Sequence, residues 1–145
     1  MTGRTLRGLI AGLALAGAAV AAYLVYARYT GTQLACTTGG CETVQHSKYA
    51  TIVGIPVAIF GLAFWIAAFV LVLWDSELAR TLVLALALIG VAFSIYLVVL
   101  QLVVIDATCT WCMLNDLVLA PLFLVLALAR LWTSVEQPGS EAEAV

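Results

Sequence analysis

Two cysteine pairs carry the chemistry that this sequence can do: Cys36 and Cys41, with four residues between them, and Cys109-Thr-Trp-Cys112, with two between. A Cys-x-x-Cys at a helix start sets its sulfurs about one turn apart, where they can bridge. The free N–H groups and dipole of that helix end favour a thiolate there. The chemistry to expect is thiol–disulfide exchange, with the helix-start pair easily reduced. Three other readings stand beside it: two structural disulfides, capture of a soft metal by four thiolates, and cysteines without a shared role. A helical membrane bundle needs no staples, and no cysteine falls deep inside an apolar run to form a metal pathway. The exchange reading is the stronger.

The elements that must position these sulfurs are apolar. Of 145 residues, 65% are hydrophobic and only six are basic and eight acidic. Soluble domains are roughly half apolar and a quarter charged, so a water-soluble globule is excluded, as are a disordered chain and a nucleic-acid surface. The net charge of −2 says nothing about partners. Crossing the hydrocarbon core takes about 20 apolar residues in a helix. Residues 9–27, 54–74, 81–105 and 109–131 each meet that length, and none shows the period-two polarity of a membrane barrel. The fold to expect is all-α, a multi-pass four-helix bundle formed by residues 1–134 with a disordered cytoplasmic tail, 135–145.

Basic residues near span ends stay cytoplasmic. Arg4, Arg7, Arg80 and Arg130 share one side if both termini are cytoplasmic, against Arg28 and Lys48 on the other. Tyr23, Tyr26, Tyr29, Trp74 and Trp132 read as interfacial anchors. The basic N-terminus also has the look of a secretory signal, but its apolar run is longer than a signal core, and a retained helix is expected. This orientation puts every cysteine outside, in a multi-pass protein of the cell membrane.

The connections are unequal. Residues 75–80 and 106–108 are tight turns, whereas 30–53 is a long extracytoplasmic loop, and long loops in compact domains are usually functional or disordered. It holds Cys36, Cys41 and His46, and residues 43–50 suffice for a short helix lying on the bundle. The external face of a four-helix bundle is roughly 20 Å across and a loop extends about 3.3 Å per residue, so Cys41 can cross it. A relay follows: a soluble dithiol reduces Cys36–Cys41, Cys41 attacks Cys109, and Cys112 is left as the thiolate nearest an acceptor in the membrane.

Other residues carry weaker signals. Asn115 and Asp116 lie three and four positions after Cys112, on its helical face. An ionisable residue inside a span is a functional candidate, here for protonating or hydrogen-bonding the reduced acceptor in the membrane; the plainer alternative is a partner on a neighbouring helix. Gln101 faces either that site or another helix. Ser47 reads as a cap for the loop helix and His46 as a surface residue. Trp65 and Phe64 read as packing, Gly54 and Gly61 as allowing close helix approach. Trp111 either shields the disulfide or anchors its helix. Pro56 fits the first turn of the second span, and Pro121 should kink the fourth.

Cys36-x4-Cys41, Val44, Ser47, Tyr49, Gly54-Ile-Pro-Val-Ala-Ile-Phe-Gly61, Tyr96 and Cys109-Thr-Trp-Cys112, in that order and spacing, resemble the vitamin K epoxide reductase family, closest to its bacterial disulfide-forming members. The likeness covers residues 30–121. It implies a bundle enclosing a quinone (menaquinone or ubiquinone, vitamin K-like) near the external end, capped by a half-helix in the first loop. By that resemblance Cys109 and Cys112 match the redox centre, with Cys112 next to the quinone. Cys36 and Cys41 match the shuttle pair, and Ser47 matches a serine at the loop helix. Many bacterial relatives append a thioredoxin-like domain; this chain stops at Val145, which implies a separate DsbA-like thioredoxin-fold partner outside the cytoplasm. DsbA is a strong oxidant, near −120 mV, and its recharging needs a strong acceptor such as the membrane quinone pool. The expected activity is therefore quinone-dependent thiol oxidation. Its alternatives are reduction of a quinone or of vitamin K epoxide as the main output, and, from another class, a soft-metal-binding membrane carrier.

Overall fold

Thr2 Oγ1 accepts the amide of Thr5 and starts helix α1 (Gly3–Thr30), which ends where Gly31 turns left-handed. A computed structural model describes residues 2–136 of the chain. The long loop that follows α1 carries α2 (Cys41–Gln45) and a 3₁₀ turn (Lys48–Ala50). The single short helix expected over 43–50 is thus two pieces, broken at His46 and Ser47. A two-residue hairpin then pairs β1 (Thr51–Ile52) with β2 (Ile55–Pro56), Thr51 opposite Pro56 and Ile52 opposite Ile55. Val53 and Gly54 at its tip have φ of +53° and +79°, the double positive φ that suits a hairpin with right-handed twist. Gly54 is therefore a turn glycine, not a site of close helix approach as the sequence suggested.

Three further stretches complete the bundle. Helix α3 (Val57–Leu73) begins just after Pro56, which serves as its extended N-cap instead of lying in its first turn. Helix α4 (Glu77–Val99), capped by Ser76 Oγ on the Ala79 amide, widens into a π-helical segment (Leu100–Ile105) that stops at left-handed Asp106. Helix α5 (Thr110–Leu114) passes through a second π segment (Asn115–Leu119) into α6 (Ala120–Glu136). Pro121 is the second residue of α6, two positions after that π segment. A widened turn is one way to absorb a missing N–H beside a proline. Val135 and Glu136, the first residues of the tail expected to be disordered, are helical, and the rest of that tail lies outside the described residues.

Gly3–Thr30, Glu77–Ile105 and Thr110–Glu136 are each long and apolar enough to cross a membrane, and α3 is a shorter apolar helix of 17 residues. Their outward faces carry Leu15, Ile66, Val70, Leu88, Ile95 and Val125, all exposed. Water would leave that surface uncompensated, and a bilayer does not. The protein is an all-α membrane bundle. Its core meets at small residues, Ala14 and Ala21 of α1, Ala68 of α3, Ala87 of α4 and Ala127 of α6, around Trp65 and Phe123. Phe64, Trp65 and Phe123 pack edge to face with centroids 5.1–5.9 Å apart. Gly17 is obligatory at its place on α1, because a Cβ there would collide with the Trp65 indole.

One end of the bundle is fastened by charge. Asp75, between α3 and α4, receives Arg7 of α1 at 3.1 Å, Arg80 of α4 at 3.3 Å and Arg130 of α6 at 2.8 Å. Leu24, which packs beside the cysteines, lies about 25 Å farther along α1 than Arg7, so hub and sulfurs occupy opposite ends. Burial works against the Asp75 charge, but the hydrogen bond from Arg80 and the charges of Arg130 and Arg80 outweigh it and hold the carboxyl below its usual range. A lowered folded value gives stabilisation that is complete above the unfolded value, about 3.9, and lost as pH falls through the folded one. Asp75→Asn should cost about 1–2 kcal/mol at neutral pH, less than for a fully buried pair because Asp75 is partly exposed. The variant's thermal midpoint in detergent should also fall less steeply than the wild type's below about pH 4. Parallel acid profiles would refute this role for Asp75.

Candidate functional site

The loop is laid onto the start of α5 by backbone contact and threonine hydroxyls. Gly40 lies so close to Thr108 that a Cβ on it would run into the Thr108 carbonyl and lie 2.8 Å from its nitrogen. Thr38 Oγ1 donates to the Thr108 carbonyl at 2.7 Å, and the Thr38 amide donates to Thr110 Oγ1 at 3.3 Å. Thr37 and Thr110 hydroxyls meet at 3.0 Å. Ala35, the residue before Cys36, is held at both polar groups: its amide donates to Tyr23 Oη at 3.1 Å and its carbonyl accepts Trp111 Nε1 at 2.7 Å. The Trp111 ring stands edge-on to Tyr23. Trp111 thus anchors the loop and also packs against the buried cysteines.

This docking brings the two cysteine pairs together. Cys36 and Cys41 form a disulfide with Cα atoms 6.0 Å apart, while Cys109 and Cys112 are free. Cys36 is half-buried beside Thr38 and Thr110, whereas Cys41 is sealed at 1% exposure. Cys41 shares one buried cluster with Leu24, Val44 and Cys109, and Cys36, Trp111 and Cys112 pack against it. Cys109 is the N-cap of α5, and its sulfur accepts the Cys112 amide at 3.3 Å. Gln101 Oε1 accepts the Cys109 amide at 2.9 Å, and its side chain also lines the cavity described next, so its two sequence readings each have a contact. Gln45 Nε2 donates to Cys112 Sγ at 3.5 Å.

Below these sulfurs is a cavity of about 370 Å³, lined by Cys112, Gln45, Ser47, Trp65, Asn115 and Asp116 among others, with walls that are mostly aliphatic and aromatic. Ile52, Phe60 and Ile89 line it and are also exposed, which puts its meeting with the outer surface between the hairpin, α3 and α4. A polar chain crosses its floor. Trp65 Nε1 donates to Asn115 Oδ1 at 2.8 Å, Asn115 Nδ2 to Asp116 Oδ1 at 3.1 Å, and Ser94 Oγ to the same Oδ1 at 3.0 Å. Asp116 thus has the neighbouring-helix partner that the plainer reading gave it, while facing the cavity too. Trp65 does more than pack, since its N–H orients the Asn115 amide.

Other expectations shift. Ser47 occupies the N-cap position of the 3₁₀ turn but makes no cap bond; its hydroxyl donates back to the Val44 carbonyl at 2.9 Å, and its side chain lines the cavity. His46 is exposed and meets Glu42 at 3.4 Å on the outward face, as a surface residue should. Gln45, Gly40 and Thr38 went unremarked in the sequence, and Tyr23 was read only as an interfacial anchor. Gln45 had a usable signal, lying one helical turn after Cys41.

Residues 8–127 match the Vitamin K epoxide reductase family. The chain belongs to that family. Its members are oxidoreductases that use a quinone as redox partner and generally work with thioredoxin-like proteins. In this vitamin K epoxide reductase family member the matched region takes in all four cysteines and every cavity residue named above. The cavity fits such a partner: its volume lies within the usual range for small-molecule sites, roughly 300–1,000 Å³. Its walls are mostly apolar, with polar side chains such as Gln45, Ser47, Asn115 and Asp116 set among them.

If the Gly40 contact sets the loop, Gly40→Ala should lift the loop off Thr108. Overpacking of this kind costs about 1–3 kcal/mol. Cys109, fully buried in the wild type, should then become alkylated several-fold faster in folded protein. An unchanged alkylation rate would show that the loop docks without that contact.

Proposed function

We propose that this protein is a quinone-dependent thiol oxidase that reoxidises an extracytoplasmic thioredoxin-fold protein. The observation that carries the reading is one line of sulfurs: an accessible disulfide partner, Cys36, then sealed Cys41 packed with Cys109, then Cys112 at the wall of an apolar cavity. The basic hub supports the orientation. Arg7, Arg80 and Arg130 gather at the end opposite the sulfurs, and basic ends stay cytoplasmic.

The steps follow from access. A partner thiolate attacks Cys36, the more open sulfur, and Cys41 leaves as thiolate. The partner's second thiolate then displaces Cys36, so the partner departs oxidised and the loop pair reduced. Cys41 attacks Cys109 of a Cys109–Cys112 disulfide; the Cys41–Cys109 bond forms and Cys112 leaves with the electron pair. Cys36 then attacks Cys41 and frees Cys109, which restores the loop disulfide beside two free thiols, the arrangement seen here. A quinone bound among Cys112, Ser47, Asn115, Asp116 and Gln101 supplies a two-electron, two-proton acceptor next to Cys112. The Asp116 carboxyl, fixed through Oδ1 by Ser94 and Asn115, holds or delivers a proton at that wall. With Cys36 and Cys41 bonded to each other, two thiols remain of the four that a soft-metal carrier would use, which weighs against that alternative.

The test is quinone reduction by reconstituted protein supplied with a reduced thioredoxin-fold donor. Cys112→Ser should abolish turnover and accumulate a Cys41–Cys109 disulfide visible in a peptide map. Turnover equal to wild type, or no such bridge, would overturn the assignment. Asp116→Asn should lower quinone reduction by about 100-fold, the usual scale of lost general acid–base help, while exchange between the cysteine pairs keeps its rate. Unchanged quinone reduction would return Asp116 to a purely structural role.

A further inference from the structure

Helix α2 starts at Cys41 and ends at Gln45, so the two side chains leave the same face one turn apart. Both are sealed from solvent. Across from them, Cys109 and Cys112 are also one turn apart. The two spacings are set in register. Cys41 packs in one cluster with Cys109, and the Gln45 amide reaches Cys112 Sγ at 3.5 Å. Among the described residues no other side-chain nitrogen bonds that sulfur, and no lysine or arginine lines the cavity. The groups facing Cys112 are the thiol of Cys109, the sulfur of Cys41, Asp116 one turn further on and Tyr49 in the cavity wall, while Glu42 and His46 pair with each other outside. None of these neighbours is a fixed cation.

Resting on the oxidase reading above, we propose that Gln45 is a catalytic hydrogen-bond donor that stabilises Cys112 sulfur as leaving group when Cys41 opens the Cys109–Cys112 disulfide. The step balances within the protein. Cys41 Sγ bonds to Cys109 Sγ, the Cys109–Cys112 bond breaks, and its electron pair goes to Cys112 Sγ, toward which Gln45 Nε2–H points. Hydrogen bonds to charged groups are about twice as strong as neutral ones, and a buried charge without a partner is costly. Because one short helix carries both nucleophile and donor, the docking that delivers Cys41 also delivers Gln45. Exchange is then favoured only while the loop is seated.

The test uses full-length protein in nanodiscs with both pairs oxidised and no quinone. After addition of a reduced thioredoxin-fold donor, rapid alkylation follows free Cys36 and free Cys112 separately. Gln45→Met keeps the side-chain length without the donor. It should release Cys112 roughly tenfold to a hundredfold more slowly, the scale of one hydrogen bond to a charged group, while Cys36 appears at the wild-type rate. Gln45→Glu keeps the shape but donates only when protonated. It should be slower still at neutral pH and gain rate on acidification, whereas wild type and Gln45→Met lose rate as thiolates protonate. Wild-type release in Gln45→Met would overturn the proposal. So would equal slowing of both variants at every pH, since Gln45 would then merely seat α2. If wild-type protein itself opens Cys36–Cys41 but never frees Cys112, the oxidase reading fails, whatever Gln45 does.

Discussion

The contact between the Gly40 backbone and Thr108 sets the distance between two reactive pairs that lie about 70 residues apart in sequence. Sulfur exchange needs near contact, and a loop of this length left free would spend little time there. The Thr37, Thr38, Ala35 and Trp111 hydrogen bonds hold the approach that glycine permits. Each contributes about 1 kcal/mol net, so together they seat the loop firmly without making its release prohibitive. A side chain at position 40 would defeat all of them at once, because the backbone could no longer come close enough for the hydroxyls to reach.

That seat depends in turn on the bundle holding residues 108–111 still. Gln101 anchors the Cys109 amide from the π-helical end of α4, and Tyr23 braces Trp111 from α1. The other end is drawn together by Asp75 and its arginines from α1, α4 and α6. In an apolar medium the association of helices gains little from hydrophobic burial, so small-residue packing and polar fasteners carry more of the specificity. Gly17 under Trp65 is the clearest case. The indole needs that space both to join the aromatic core and to aim its N–H at Asn115.

Much of this was legible in the sequence, and what was missed has a common cause. Apolar runs without charge read directly as helices, since only helices and closed barrels satisfy their backbones in a bilayer. The helix-start place of Cys109 and Cys112 followed from local spacing, whereas the pairing of Cys36 with Cys41 came with the relay and with the family resemblance. The hairpin tip at Val53 and Gly54 and the two π segments did not. Apolar composition hides a two-residue turn, and a widened helical turn has no sequence period of its own. Gln101, Trp65 and Gln45 were ambiguous or overlooked because a side chain's hydrogen-bond partner on another element is a tertiary fact. Asp116 shows the limit well: its position predicted a functional carboxyl and its alternative a helix partner, and the two descriptions turn out to be compatible.

Two cysteine pairs in series make physical sense of a site with two different boundaries. Cys36 keeps surface open among threonines that bond water as readily as protein, while Cys41 and Cys109 are closed off. The cavity beyond Cys112 meets the outer surface instead at Ile52, Phe60 and Ile89, among lipid-facing side chains. A single dithiol would have to sit at both boundaries, exposing one charge-bearing sulfur to hydrocarbon or the lipid-soluble acceptor to water. Dividing the task lets each pair keep one environment, and only the short helix that carries Cys41 and Gln45 has to serve both.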